Sequence, residues 1–207
     1  TTFNSSIKFL GLQIQDNLRW NTHISEMANK LATALYSIRR IKTIATHQAV
    51  KMVYYANFHA IATYGILLWG ANTEAMKRVF LLQKKAIRIM NNLRQRESCK
   101  YHFKKEQILT VPATYVLHNI KYVHTHLGQF KKNDVFHNKN TRNASLLRVP
   151  YHRLTVTQQN VHYWGAKLYN KIPDCWKKTT LKELESKMKT FLLTIVPYTV
   201  EDFLCSE

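Results

Sequence analysis

The sequence predicts a mainly α fold: a helical bundle preceded by a short β element, with a small α+β C-terminal segment. Two observations indicate this class. Apolar residues recur every three or four positions over most of the chain, which is the period of an amphipathic helix. Residues 5–14 (SSIKFLGLQI) are the exception. They are rich in β-branched and aromatic side chains around Gly11, which predicts a strand or a short hairpin.

The first three helices are predicted from the apolar period and from capping residues. Residues 22–42 carry an apolar stripe that begins at Ile24 and Met27. A second helix begins at Thr46 and ends near Tyr64-Gly65, because Gly commonly follows a helix. Thr73 is expected to cap a third helix over 74–92, with Glu74 in the first turn, where the helix dipole favours an acid.

The second half of the chain is predicted to hold four more helices, separated by one aperiodic stretch. Ser98 is expected to cap a short helix that extends through Leu109, and Pro112 starts one over 112–130. Residues 131–159 are polar and aperiodic, with a strand expected at 145–157. A helix at 159–171 follows. Thr180-x-x-Glu183 is expected to form a capping box that opens a last helix ending near residue 195.

The net charge of the chain points to a polyanionic partner. Its 207 residues include 31 Lys and Arg and 12 Asp and Glu, a formal charge of +19. Such a charge on a chain able to bury a core most often serves nucleic acid, and less often a membrane surface or solubility alone. The apolar runs are too short to span a bilayer, so we expect no membrane partner. Three scattered cysteines favour a reducing intracellular compartment, nuclear or cytoplasmic.

The acidic residues do not form the pairs that catalysis with two metal ions needs. The sequence has no Asp-Asp and no Asp-x-Asp, and Glu183 and Glu185 point apart on a helix. Cys99-x-x-His102 has half the spacing of a zinc site, and we interpret it as a buried thiol and a surface His. The isolated glycines form no phosphate-binding loop. We therefore expect no catalytic residue, no metal site and no cofactor in this chain.

The predicted third helix separates cations from apolar residues. At 100° per residue its five cations fall within about 120° of arc, away from Phe80, Ile87 and their apolar neighbours Met76 and Met90. Between residues 77 and 106 the chain has ten Lys or Arg against two acids. One-sided charge of this kind favours contact with a phosphate backbone through solvated side chains. The candidate nucleic-acid-binding residues are Lys77, Arg78, Lys84, Lys85, Arg88, Arg94 and Arg96.

Other residues are weaker candidates for the same role. Cations near Arg39-Arg40, or at 139–153, are the alternative phosphate contacts. Aromatic residues among the cations, Trp164 included, could stack on bases of a single strand. Trp20, Trp69 and Trp164 have apolar sequence neighbours and are more often core residues.

Eight short motifs also follow one another along the chain. Together they resemble the C-terminal part of the reverse transcriptases of non-LTR, LINE-type, jockey-like retrotransposons. The motifs are Ile7-Lys8-Phe9-Leu10-Gly11-Leu12, LRWNTHI at 18–24, YGILLWG at 64–70, QKKAIR at 83–88, Arg96-x-Ser98-Cys99, ILTVP at 108–112, Thr141-Arg142 and YNKIP at 169–173.

The resemblance implies a division of the chain. Residues 1–20 would be the end of the palm, 21–130 a helical thumb-like domain, 131–159 a linker or loop, and 160–207 a C-terminal helical segment. The thumb helices of such enzymes lie along the template–primer duplex, which agrees with the cationic helix.

The resemblance also implies residue roles, and it has limits. Phe9, Leu10 and Gly11 resemble the primer grip, whose backbone supports the 3′ end of the primer. The aromatic-x-Asp-Asp motif and the other metal-binding Asp of the family are absent here. We expect them upstream, in the palm and fingers of a parent enzyme that uses Mg²⁺. Residues 137–142 read HNKNTR where the family commonly has His-x-Tyr-x-Thr-Arg, so a role for that Tyr does not transfer.

Three functions remain open from the sequence. The first is a thumb and C-terminal fragment of an RNA-directed DNA polymerase that binds RNA or an RNA–DNA duplex and is inactive alone. The second is an independent RNA- or DNA-binding protein derived from such an element. The third is a helical partner-binding domain whose charge is incidental.

Overall fold

The structure is a computed structural model that describes residues 6–133, 143–154 and 157–206. It is mainly helical with one short two-stranded antiparallel sheet near the N-terminal end, as predicted. The elements are β1 Ser6–Phe9, β2 Leu12–Gln15, α1 Asn21–Lys42, α2 His47–Val53, a π-helical turn Tyr54–His59, α3 Ala60–Thr63, α4 Ile66–Trp69, α5 Thr73–Asn91, α6 Lys100–Lys105, α7 Val111–Thr125, a 3₁₀ turn Leu127–Gln129, a 3₁₀ turn Thr157–Gln159, α8 Val161–Lys171, α9 Asp174–Lys177, α10 Leu181–Ile195 and α11 Val200–Cys205.

The N-terminal β element is a tight hairpin. Phe9 pairs with Leu12, so only Leu10 and Gly11 form the turn. Both have positive φ, 45° and 80°. Positive φ at both central residues is the mirror-image turn that fits the twist of two short strands, and Gly is favoured there. The predicted hairpin is confirmed.

The first two predicted helices are also confirmed, with one addition. Helix α1 buries the predicted stripe, including Ile24 and Met27. The second helix begins after Thr46, whose side chain accepts from the Ala49 N–H. It runs through the π-helical turn to Thr63. The π turn buries Tyr54 against Phe58, with stacked rings 5.5 Å apart between centroids.

Several predicted helix ends were wrong by a few residues. Asn72, not Thr73, caps α5 by accepting from the Ala75 N–H. Helix α6 ends at Lys105, before Leu109, and Gln107 follows with φ 53°, a left-handed conformation that a helix cannot continue. Helix α7 begins after Thr110 as predicted.

The C-terminal helices differ from the prediction in their caps and in their number. Thr180 accepts from the Glu183 N–H, but only that half of the predicted capping box forms. A complete capping box joins Thr199 and Asp202 and opens α11, which the sequence analysis missed along with the short α9. Helix α8 lies where predicted and is capped by Asn160.

The predicted strand at 145–157 is absent from the residues that the structure describes there, 145–154 and 157. Only Leu147 forms a bridge, to Lys132. The Asn170 side chain accepts from the Leu147 N–H at 2.9 Å and donates to its carbonyl at 2.7 Å. The backbone of Leu147 is therefore satisfied by an amide on α8 instead of a neighbouring strand. Residues 134–142 and 155–156 of the predicted linker at 131–159 lie outside the described residues.

One apolar core underlies the bundle. Its buried residues run from Trp20 to Phe203, and α7 packs against α5, α8 and α10. Trp20 and Trp69 belong to this core, as predicted, whereas Trp164 packs partly buried at its edge. The proposed domain boundaries at residues 20, 130 and 159 stay predictions.

Candidate nucleic-acid interface

Helix α5 has one buried and one charged side, as the sequence predicted. Met76, Phe80, Ile87 and Met90 are buried, together with Gln83. Lys77, Arg78 and Lys85 are exposed. The separation arises because α5 packs along α1 and also contacts α7, so only the remaining arc of the helix reaches solvent.

A groove lined by cations lies between the C-terminal half of α1 and the second half of α5. Its volume is about 830 Å³. Arg39 and Lys42 lie on the α1 side, and Lys85 and Arg88 on the α5 side. No Asp or Glu lines this part of the described surface. We call it the cationic groove. Four cations around one concavity with no acid form a site for anions with several charges, such as successive phosphates.

The two more exposed cations of the groove have different surroundings from the two more buried ones. Arg39 and Lys85 are exposed, whereas Lys42 and Arg88 are partly buried. The Lys42 ammonium donates to the carbonyl of Ile89 and to the side chain of Asn92, at the C-terminal end of α5. A cation there satisfies helix carbonyls and opposes the negative end of the dipole. Burial lowers the pKa of Lys42 below its ordinary value.

Arg88 holds the loop that follows α5. Its Nε and Nη2 donate to the carbonyl oxygen of Glu97 at 3.1 and 3.0 Å. The Glu97 carboxylate in turn accepts from the Arg94 N–H at 3.1 Å. The expectation that Arg88 is simply solvated was therefore wrong, because two of its donors serve the backbone. The predicted residues Arg94 and Arg96 lie exposed on this same loop.

Lys84 was also expected to be solvated, and it is partly buried instead. Its ammonium lies 4.9 Å from the ring centroid of Phe80 and 5.4 Å from that of Tyr198. An ammonium at this distance from an aromatic face is attracted by the ring quadrupole. Lys77 lines the same side of α5, so these two cations lie away from the cationic groove.

The seven predicted cations thus lie in several different parts of the surface. Lys85 and Arg88 lie in the cationic groove, Lys77 and Lys84 along the neighbouring side of α5, and Arg94 and Arg96 on the loop. Arg78 donates to the Ser25 hydroxyl of α1 at 3.0 Å. None of the seven takes part in the ion pairs that the described residues form. No acid of the described residues is therefore paired with these cations.

Sequence reasoning missed how α1 contributes to the interface. Arg39 was named only as an alternative, and Lys42 was not named. Both occupy the last turn of α1, where cations are common because of the helix dipole. The signal that could have found them is the pairing of α1 with α5, which a single sequence does not display.

The residues that resemble a primer grip form the exposed tip of the hairpin. Phe9 is 60% exposed and Leu10 is 73% exposed. The Tyr64 hydroxyl donates to the Leu10 carbonyl, and a Cβ on Gly11 would lie 3.7 Å from the Tyr64 ring. The hairpin tip therefore rests on the junction between α3 and α4. It presents apolar side chains to solvent and contributes no residue to the cationic groove.

Among the described residues, no three His, Cys, Asp or Glu side chains come together as a metal-binding group. No described helix combines the length and apolar character needed to cross a membrane.

Comparisons with known proteins found no similarity to report. No family model, curated protein or solved structure matches the chain. The resemblance to LINE-type reverse transcriptases therefore rests on the sequence motifs and stays a prediction.

Proposed function

We propose that this chain binds RNA or an RNA–DNA duplex through the phosphate backbone. In this proposal it is the thumb and C-terminal part of an RNA-directed DNA polymerase of the non-LTR retrotransposon type. The observation that carries the proposal is the cationic groove, where Arg39, Lys42, Lys85 and Arg88 surround one concavity with no acid. A net charge of +19 supports the same partner, because it attracts polyanions from a distance.

The groove suits contact with a phosphate backbone and is not suited to the recognition of base sequence. Arg39 and Lys85 are exposed, so their charged groups can contact phosphates directly. Lys42 and Arg88 are held by backbone carbonyls, so they add positive potential at fixed positions. Contacts of this kind position a duplex and carry little sequence information.

The proposal also includes a cellular compartment and partner domains that supply catalysis. Cys99, Cys175 and Cys205 are free thiols, which supports an intracellular reducing compartment, nuclear or cytoplasmic. The upstream palm and fingers of the parent enzyme would be the partners that supply catalysis and bind Mg²⁺. We expect the isolated chain to bind duplex without extending a primer.

The experiment is equilibrium binding of a fluorescent RNA–DNA hybrid at several salt concentrations. If about five phosphates are engaged, log K against log[salt] should slope at about −3.5 to −4.5, since each phosphate contributes roughly −0.7 to −0.9. Two hybrids of unrelated sequence should bind alike. Absence of binding at low salt, or a slope near zero, would contradict the proposal. Primer extension by the purified chain with Mg²⁺ would contradict the expected lack of catalysis.

A further inference from the structure

A second concavity lies along the side of α5 next to the cationic groove. Its volume is about 380 Å³, within the range of small-molecule sites. Its walls are mainly apolar and include four aromatic side chains from four parts of the chain: Phe80 on α5, Tyr115 on α7, Trp164 on α8, and Tyr198 just before α11. We call it the aromatic pocket.

The aromatic walls are held in place by their neighbours. Phe80 and Tyr198 form an edge-to-face pair with centroids 4.9 Å apart. Gly70 lets the ring of Tyr115 approach the backbone, because a Cβ there would lie only 2.5 Å from Tyr115 Cδ2. Lys167 lies over the Trp164 ring at 5.0 Å. A flat group entering the pocket would therefore meet rings whose positions are already fixed, which lowers the ordering cost of binding.

Two cations lie at the edge of this apolar pocket. Lys77 lines it and is exposed, and the Lys84 ammonium lies over the faces of Phe80 and Tyr198. Glu201 is the single acid among the lining residues. An apolar interior with ammonium groups at its edge is complementary to a ligand that has a flat apolar body and an anionic group. A nucleotide has both parts, in its base and its phosphate.

The pocket and the groove are neighbours. Leu81, which is 45% exposed, lines both of them and separates one from the other on α5. A strand whose phosphates contact the cationic groove would therefore lie beside the aromatic pocket. A paired base could not enter, because its faces are stacked in the duplex. An unpaired base could.

We propose that the aromatic pocket binds the base of one unpaired nucleotide adjoining the duplex held in the cationic groove, with its phosphate at Lys77 and Lys84. This inference rests on the proposed function and narrows its substrate to a duplex with a single-stranded extension or bulge. The base packs against the partly exposed rings of Trp164 and Tyr198, a contact that any of the four bases can make, and the phosphate meets the two ammonium groups.

The test compares three RNA–DNA hybrids that share one duplex sequence. The first is blunt, the second has one unpaired nucleotide, and the third has an abasic unit in that place with the same phosphate charge. Stacking of one base predicts at least about fivefold tighter binding of the second hybrid than of the third. Replacing the base by 2-aminopurine should give fluorescence that is quenched on binding, since a stacked 2-aminopurine emits weakly.

Trp164→Leu removes one wall of the pocket. It should reduce the preference for the base over the abasic unit while leaving the affinity for the blunt hybrid unchanged. Equal affinity for base and abasic hybrids, with no quenching in the wild-type protein, would overturn this inference and leave the proposed function standing. Failure of all three hybrids to bind would overturn both.

Discussion

The side chain of Gln83 gives the sharpest stability prediction. It is 1% exposed and satisfies three polar groups at once. Its Nε2 donates to the Tyr54 hydroxyl and to the Leu109 carbonyl, both at 2.9 Å. Its Oε1 accepts from the Val111 N–H at 2.8 Å, at the first turn of α7. One amide therefore ties α5 to the π-helical turn and to the start of α7.

The change Gln83→Met keeps the shape of the side chain and removes all three bonds. The carbonyl of Leu109, the N–H of Val111 and the Tyr54 hydroxyl would each lose a partner in a largely buried region. A polar group left unsatisfied in this way costs about 1–3 kcal/mol, so the free energy of unfolding should fall by at least about 3 kcal/mol. Tyr54→Phe removes only one of the three bonds and should cost about 1 kcal/mol.

Urea unfolding followed by circular dichroism measures both variants against the wild type. Similar slopes of the free energy with urea would show that the two variants unfold from comparable states. A loss in Gln83→Met no larger than that in Tyr54→Phe would refute the assignment of three bonds to this amide.

Two further predictions concern packing and pH. Gly70→Ala should destabilise the fold by about 1–3 kcal/mol, because its Cβ would lie 2.4 Å from the Ile66 carbonyl oxygen and 2.5 Å from Tyr115 Cδ2. Gly128→Ala, with no atom within 4 Å of the added Cβ, is the matched control, and equal melting temperatures for the two variants would contradict the prediction. Burial is the main cause that lowers the pKa of His23, His59 and His118 below the ordinary 6.5. His118 adds to the lowering at His59, and Lys121 and Lys189 add to it at His118, where the Glu185 carboxylate opposes them. The unfolded chain therefore binds more protons below about pH 6.5, so the free energy of unfolding should fall as the pH falls through that range. His118→Gln should weaken this dependence in thermal melts between pH 7.5 and 5, and an unchanged dependence would count against it.

The fold was largely predictable because local signals dominate it. The hairpin at Gly11, the stripe of α1 and the cap at Thr110 are each encoded within a few residues. The errors occurred where two local signals compete. Asn72 and Thr73 are both good caps, and the structure uses the first. The π-helical turn after Val53 shifts one residue of register, which a pattern of period 3.6 hides.

The candidate site was predictable only in part, because it depends on contacts between distant residues. The amphipathic pattern located the cations of α5, but it did not show which of them contact other residues of the chain. Arg88 reaches the carbonyl of Glu97 and Lys84 reaches the ring of Tyr198, and neither contact has a signature in the sequence. Arg39 and Lys42 join the groove only because α1 packs along α5.

The charge-matched comparison of two double variants tests the central claim most directly. Arg39→Gln with Lys85→Gln removes the two exposed cations of the groove, and Lys182→Gln with Lys187→Gln removes two exposed cations of α10 that do not line it. Both variants lose the same net charge, and neither pair of residues takes part in an ion pair of the described chain. For an RNA–DNA hybrid, the groove variant should flatten the slope of log K against log[salt] by about 1.4–1.8, and the α10 variant should leave that slope unchanged. An equal change in both variants, or no change in the groove variant, would contradict the assignment of the cationic groove as the contact surface.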